Sequence, residues 1–237
     1  MSTLLEVSAA NKRYGGIVAL DDVSLSVGER ELLCIIGPNG AGKSSLLNVL
    51  SGTLAPDSGT IHFRGRAITG KPPHAFARQG IVRKFQGANV FPSLSVLDNL
   101  RVAGLGVALA NNRPPPQPEQ IVRTIKLVPQ ARSPAAMISH GQRQWLEVGM
   151  TLMCRPQILL LDEPTAGMTA VGVTDMAELV LELASEFAVI VIEHNMSFVR
   201  RLSCRTMVMH QGRVAAEGRF DDIARDARVR DAYLGRA

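Results

Sequence analysis

Eight consecutive residues, Gly37-Pro38-Asn39-Gly40-Ala41-Gly42-Lys43-Ser44, restrict this chain more than any other stretch. They follow the short apolar run Glu31 to Ile36 and precede Ser44 to Ser51, which reads as a helix. An apolar strand, a glycine-rich turn and a helix, in that order, predict a loop whose successive backbone N–H groups curl inward toward phosphate oxygens. The helix aims the positive end of its dipole at the same place. Lys43 would put a point charge between the β- and γ-phosphates of a nucleoside triphosphate, and the Ser44 hydroxyl would be a ligand of Mg²⁺. The residues Gly37, Pro38, Asn39, Gly40, Ala41, Gly42, Lys43, Ser44 and Ser45 are the expected lining of that site.

The rest of the chain supplies a framework for such a loop. Leu4 to Ser8 and Ala19 to Val27 read as strands, and Thr60 to Arg64 as another after the Asp57-Ser58-Gly59 turn. From Val90 to about Met153 the pattern becomes helical and less regular. Inside it, Arg113-Pro114-Pro115-Pro116-Gln117-Pro118 reads as an extended surface loop. From Gln157 onward apolar strands alternate with helical segments: Ile158 to Leu161, Val173 to Phe187, Val189 to Ile192, Ser197 to Leu202 and Thr206 to His210. That alternation predicts a parallel sheet covered by helices, interrupted by a helical insertion.

The strand Ile158 to Leu161 runs into two acids, Asp162 and Glu163. Ionised acids at a buried strand end are costly unless they meet a cation or hydrogen-bond donors. The carboxyl edge of such a sheet is where α/β proteins bind ligands, so Asp162 is expected near the phosphate loop, holding Mg²⁺ through water. Glu163 would orient or deprotonate the water that attacks a γ-phosphate.

Composition narrows the remaining classes. The formal net charge of +5 would suit nucleic acid, an anionic surface or a polyphosphate. The arginines are scattered, and only 4% of residues are aromatic, which leaves few stacking platforms for single strands. No nucleic acid partner is expected. No apolar run approaches the roughly 18 residues that a membrane-crossing helix needs. Met1 to Ala10 lacks a signal-peptide pattern because Glu6 interrupts it, so a cytoplasmic address is expected. Cys34, Cys154 and Cys204 show no metal-ligand spacing and read as free buried thiols.

The phosphate loop, the acid pair and the segment Ile138-Ser139-His140-Gly141-Gln142-Arg143-Gln144 together resemble the ABC ATPase family, the last segment narrowing the identification. The resemblance implies an α/β P-loop NTPase core with a parallel sheet, an N-terminal antiparallel β subdomain and an inserted helical subdomain. Residues 1–89 and 156–237 would form the core with the β subdomain, and residues 90–155 the helical part. It implies ATP and Mg²⁺ as cofactors, with Tyr14 stacking on adenine. Gln86 would reach the Mg²⁺ beside Ser44 and Asp162 and link the site to a transmembrane partner, and His194 would contact the γ-phosphate. Glu163, His194 and Lys43 would be the catalytic group. Ser139, Gly141 and Gln142 would face ATP held by a second ATPase subunit, identical or different, so that two nucleotides are sandwiched head to tail.

Three positions depart from the usual family pattern: His140 replaces a glycine, Thr169 stands where Asp is common after the acid pair, and Asn195 follows His194 where Asp is frequent. Arg83-Lys84-Phe85-Gln86, Ser139 to Glu147 and Ala166-Gly167-Met168-Thr169 look like the ATPase of urea-type importers, within the larger branched-chain amino acid importer group. Val229 to Gly235 resembles that group's tail, whereas Leu105 to Met137 is short for it and proline-rich. The resemblance implies membrane permease partners, an indirect periplasmic solute-binding partner and a peripheral position on the cytoplasmic face of the inner membrane. The competing readings are a lipopolysaccharide-export-type motor and a non-transport ABC ATPase.

Overall fold

The structure, a computed structural model, describes residues 3–84, 90–111, 114–223 and 225. Strands β1 (Thr3–Tyr14) and β2 (Ile17–Gly28) form a long antiparallel hairpin. Next come β3 (Leu32–Ile36), α1 (Lys43–Leu50), β4 (Ser58–Phe63), β5 (Arg66–Ala67), α2 (Pro73–Arg78) and β6 (Ile81–Lys84). Helices α3 (Val96–Asn111), α4 (Pro118–Thr124) and α5 (His140–Leu152) then precede β7 (Ile158–Asp162). The chain continues through α6 (Ala170–Ala184), β8 (Ala188–Ile192), α7 (Met196–Leu202), β9 (Arg205–His210), β10 (Arg213–Arg219) and α8 (Phe220–Ile223).

Two sheets result. One is antiparallel, in the order β2-β1-β4-β5, and the other has the order β10-β9-β3-β8-β7-β6. In the second sheet β9, β3, β8, β7 and β6 run parallel, and β10 closes one edge antiparallel to β9. The central strands β3, β7 and β8 are buried along their whole length, which is why they read as unbroken aliphatic runs rather than alternating ones. Successive side chains of a strand point to opposite faces, and the two cores divide accordingly. Cys34, Leu159, Leu161, Val189 and Val191 pack under α3, α5, α6 and α7. Leu33, Ile35, Leu160, Ile190 and Met207 pack against α1 and the antiparallel sheet. The parallel sheet is thus a middle layer, and the antiparallel sheet serves as its second cover.

Most expected elements are present, with shifted bounds. The first two strands are longer than expected, because the hairpin pairs past its apolar stretch to Tyr14 and Ile17. The helix after the acid pair spans Ala170–Ala184 rather than reaching Phe187. The expectation of an extended loop through Pro118 is corrected at its end. Pro118 opens α4, with Gln117 as the cap residue; a proline at the first helical position loses no N–H that the helix would have used. Arg113 lies outside the described residues.

Strand β6 was not anticipated from the sequence. Its pattern, Ile81-Val82-Arg83-Lys84, ends in two cations, yet the strand is almost wholly buried. The structure satisfies both. Arg83 Nη2 lies 3.0 Å from Asp162 Oδ2 of neighbouring β7, and Lys84 Nζ lies 2.9 Å from Glu147 Oε2 of α5. Both side chains of the Lys84–Glu147 pair are less than a tenth exposed. Two charges removed from water are tolerable only against each other, so this pair fixes where the inserted helices lie against the sheet.

The expectation of three buried thiols holds fully for Cys34 alone; Cys154 and Cys204 are half-buried. Burial pushes the Cys34 thiol well above its ordinary value and raises Cys204 to about 11. Both are therefore protonated at neutral pH and chemically quiet.

Candidate nucleotide site

The loop between β3 and α1 is built from backbone geometry. Gly37 has φ 152° and Gly42 has φ 100°. A Cβ added at Gly37 would come within 2.2 Å of the Met209 carbonyl oxygen, and one at Gly42 within 2.3 Å of the Ala19 carbonyl oxygen. Neither contact can be relieved by moving a flexible side chain, so both positions require glycine. The loop is thereby seated against β9 on one side and β2 on the other. Gly42 in its left-handed conformation caps α1 without a side-chain hydrogen bond, so the first N–H groups of the helix are offered to a ligand.

Lys43 leads α1 and is nearly buried. Its Nζ donates to the carbonyl oxygens of Gly37 (2.6 Å) and Pro38 (2.9 Å), which holds the ammonium across the mouth of the loop. Burial lowers its pKa, while the charges of Glu163 and Asp162 act in the opposite direction. The second effect places the acid pair in electrostatic reach of the lysine, although β8 lies between β3 and β7 in the sheet.

Asp162 ends β7 and is buried at 3% exposure. One of its oxygens, Oδ2, accepts from Arg83 Nη2, and Arg83 Nη1 donates to Asn48 Oδ1 of α1 at 2.5 Å. An arginine thus braces the acid from strand β6 and from the helix that follows the phosphate loop. Glu163 has φ +45°, a left-handed conformation that costs a non-glycine residue about 1–2 kcal/mol. Its N–H donates to the Ile192 carbonyl (2.9 Å), and its own carbonyl accepts from Ala166 N–H (3.1 Å). This turn lifts the Glu163 side chain out of the sheet toward His194, whose Nδ1 is 3.4 Å from Glu163 Oε1. His194 follows β8 and is well exposed.

Donor chemistry fits a nucleotide carrying Mg²⁺. Among the described residues no cluster of three or more His, Cys, Asp or Glu side chains makes a metal site of protein ligands alone. Mg²⁺ commonly takes one or two protein oxygens and completes its shell with water and phosphates. The hydroxyl of exposed Ser44 in the first turn of α1 and the carboxylate of Asp162 are donors of that kind. Gln86, the third expected ligand, lies outside the described residues.

A family model described as ABC transporter matches residues 20–166. The chain belongs to the ABC transporter family. A second model, branched-chain amino acid ATP-binding cassette transporter, matches residues 213–237. The cassette is 36% identical to the high-affinity branched-chain amino acid transport ATP-binding protein BraF of Pseudomonas aeruginosa, over 99% of this chain and 98% of that protein. It is 34% identical to the corresponding protein LivG of Escherichia coli, again over 99% and 98%. In structure it resembles the ADP conformation of MJ1267, an ATP-binding cassette of an ABC transporter. The TM-score is 0.87 and the identity 32%, with both chains covered completely.

The remaining residues expected at the site from the sequence are Ser139, Gly141, Gln142 and Tyr14. Ser139 caps α5: its Oγ accepts from Gln142 N–H (3.2 Å), and Gln142 Oε1 accepts from Ser139 N–H (2.9 Å). This reciprocal cap ties up the Gln142 carbonyl oxygen but leaves the Ser139 hydroxyl proton free to donate outward. Gly141 sits in the same first turn with open space where a Cβ would stand. Among the described residues, no hydrogen bond joins Ser139, Gly141 or Gln142 to the Gly37–Ser45 loop of the same chain. Tyr14 ends β1, 47% exposed, with Lys12 Nζ 6.0 Å from its ring centroid.

Each of the three departures has a local physical reason. Asn195 caps α7, its Oδ1 accepting from the N–H groups of Ser197 (3.1 Å) and Phe198 (3.2 Å). Thr169 caps α6 by accepting from Gly172 N–H (3.3 Å). Asn and Thr serve as helix caps much as Asp does. His140 brings its Nε2 to 3.1 Å from the Ala166 carbonyl oxygen. A glycine at that position could not make this link between the start of α5 and the segment after the acid pair.

Proposed function

We propose that this cassette binds MgATP at Gly37–Ser45 and hydrolyses it as the motor of an importer of the branched-chain amino acid group, working on separate membrane permeases. The observation that carries the catalytic part is the convergence of Lys43, Asp162, Glu163 and His194 at the carboxyl ends of β3, β7 and β8. The backbone N–H groups of the loop and Lys43 hold the β- and γ-phosphates. Ser44, Asp162 and Gln86 would hold the Mg²⁺, which would supply neutralisation of phosphate charge. Glu163 accepts a proton from the attacking water, and His194, beside it, senses the γ-phosphate. Tyr14 stacks on the adenine.

Ser139 and Gly141 of one subunit are assigned to the ATP of a second cassette, and Gln142 supports them through the cap. Residues 90–155 act as the lobe that answers to the permease, and the remainder as the ATP-binding core. The cassette then works as a peripheral protein on the cytoplasmic face of the membrane, with a solute-binding protein supplying substrate from the other side. Among the described residues, no helix is long and apolar enough to cross a membrane.

The transported class rests on the relatives' names and on the match of residues 213–237 to the branched-chain family model. The urea-type variant of that group rests on the Ser139–Glu147 and Ala166–Thr169 sequences. The export-type and non-transport readings gain no support from these relatives. The test is reconstitution of the cassette with the permeases and solute-binding protein that its own gene cluster proves to encode. ATP turnover should rise several-fold with a branched-chain amino acid or with urea. Turnover indifferent to both would overturn the importer assignment.

The adenine platform makes a separate prediction. Tyr14→Ala should weaken ATP binding by about 1–3 kcal/mol, the usual worth of one stacked base. Calorimetric titration of ATP and of inorganic triphosphate separates the terms. ATP affinity should fall while triphosphate affinity stays put, and an unchanged ATP affinity would remove Tyr14 from the site.

A further inference from the structure

One buried carboxylate near the site has no part in the roles assigned so far. Glu193 stands between the last residue of β8 and His194 and is completely buried. A carboxylate sealed from water must find donors for its oxygens, and Glu193 has four. Oε1 accepts from the N–H of Thr165 (2.9 Å) and from its hydroxyl (2.5 Å). Oε2 accepts from the N–H groups of His194 (3.0 Å) and Asn195 (3.1 Å). The backbone of Glu193 is also fixed, its N–H donating to the Ile35 carbonyl of β3 at 3.2 Å.

The two halves of this carboxylate grip different turns. Thr165 belongs to the turn that begins at Glu163, whose left-handed backbone does not hold itself in place. His194 and Asn195 belong to the turn after β8. The two side chains those turns present, Glu163 and His194, meet at 3.4 Å. One further bond, Glu163 N–H to the Ile192 carbonyl, crosses the same gap.

We infer that Glu193 is a positioning residue for ATP hydrolysis: its buried carboxylate clamps the Glu163 turn to the His194 turn and so sets where the general base stands. This inference rests on the function proposed above and adds a residue to it. The Glu193 side chain is completely buried, its carboxylate held by four protein donors. It acts through backbone placement, where misplacement by about 1 Å can cost on the order of 10²-fold in rate.

Glu193→Gln keeps the size of the side chain but turns an amide NH₂ toward N–H donors at one end of the clamp. It should lower kcat by about 10–10²-fold, in the range expected of a small misplacement, while the KM for ATP and calorimetric ATP affinity stay within about threefold of wild type. Thr165→Val, which removes one of the four donors, should give a smaller fall in kcat of the same kind. A purely structural role would instead lower the folded fraction, seen by circular dichroism, and leave kcat per folded molecule unchanged; that result in Glu193→Gln overturns the clamp.

A double variant supplies a second readout. Combined with Glu163→Gln, Glu193→Gln should cost little further rate, because the group it positions is already disabled. Fully additive losses would overturn the clamp as well. If the wild-type chain shows no ATP turnover, the proposed function itself falls and takes the clamp with it; wild-type turnover with unimpaired Glu193→Gln sinks the clamp alone.

Discussion

Replacement of Glu163 by Gln is expected to leave ATP binding near wild type and to slow hydrolysis by about 10²–10⁴-fold, the usual contribution of a positioned general base. The geometry explains why the effect falls on rate and not on binding. Among the described residues, no hydrogen bond or ion pair joins the Glu163 side chain to the phosphate loop; the loop is held by Gly37, Gly42 and the bonds from Lys43 to two carbonyls. Glutamine fills the same volume and can keep the left-handed turn, whose bonds to Ile192 and Ala166 are made by backbone. What disappears is an oxygen able to take a proton. Because ATP persists, a dimer glued by two unhydrolysed nucleotides should accumulate and appear on size-exclusion chromatography in MgATP. Single-turnover hydrolysis equal to wild type would remove Glu163 from the mechanism.

Lys43→Ala should act at the other end of the reaction. The lysine is held in the mouth of the cradle by hydrogen bonds to its carbonyls, and burial already disfavours its charge. Glu163 and Asp162 offset part of that cost, and phosphate charge arriving beside the ammonium would offset more. Without the ammonium, the γ-phosphate loses its nearest fixed counter-charge, and loss of one such electrostatic contact typically costs about 10²–10³-fold in rate. Nucleotide affinity should fall along with it, unlike the Glu163 variant. Alanine is a good helix former at the start of α1, so circular dichroism should report an intact fold. The decisive pair of measurements is ATP titration and steady-state turnover. Wild-type values in both would mean that the triphosphate does not lie at this loop.

Together these variants separate grip from chemistry. One predicts tight binding with slow turnover, the other weak binding with slow turnover. Interchanged outcomes would show that the acid pair, and not the loop, anchors the nucleotide.

The sequence determined more of the cradle and the sheet than of the connections between them. A buried parallel strand must be aliphatic on both faces, so Ile158 to Leu161 and Val189 to Ile192 were legible as runs. The glycine loop was legible because Gly37 and Gly42 stand where a Cβ would strike backbone carbonyls of β9 and β2. Strand β6 escaped because half of it is charged, and its charges become acceptable only when Asp162 and Glu147 arrive from elsewhere in the chain. The three departures stood in the linear reading only as differences from the family pattern; in the fold they are helix caps and a cross-link, since an oxygen or ring nitrogen shows its use only beside its partner.

By itself, then, the chain's order of residues settled what is local: a strand, a curl of glycines, a helix, and an acid pair ending a buried run. Tertiary structure alone decided which distant groups meet: Arg83 on Asp162, Lys84 on Glu147, His194 beside Glu163 and Glu193 between two turns. The reason is physical. Aliphatic burial and backbone torsion leave marks on neighbouring residues, whereas a buried charge depends on a partner that sequence spacing does not specify.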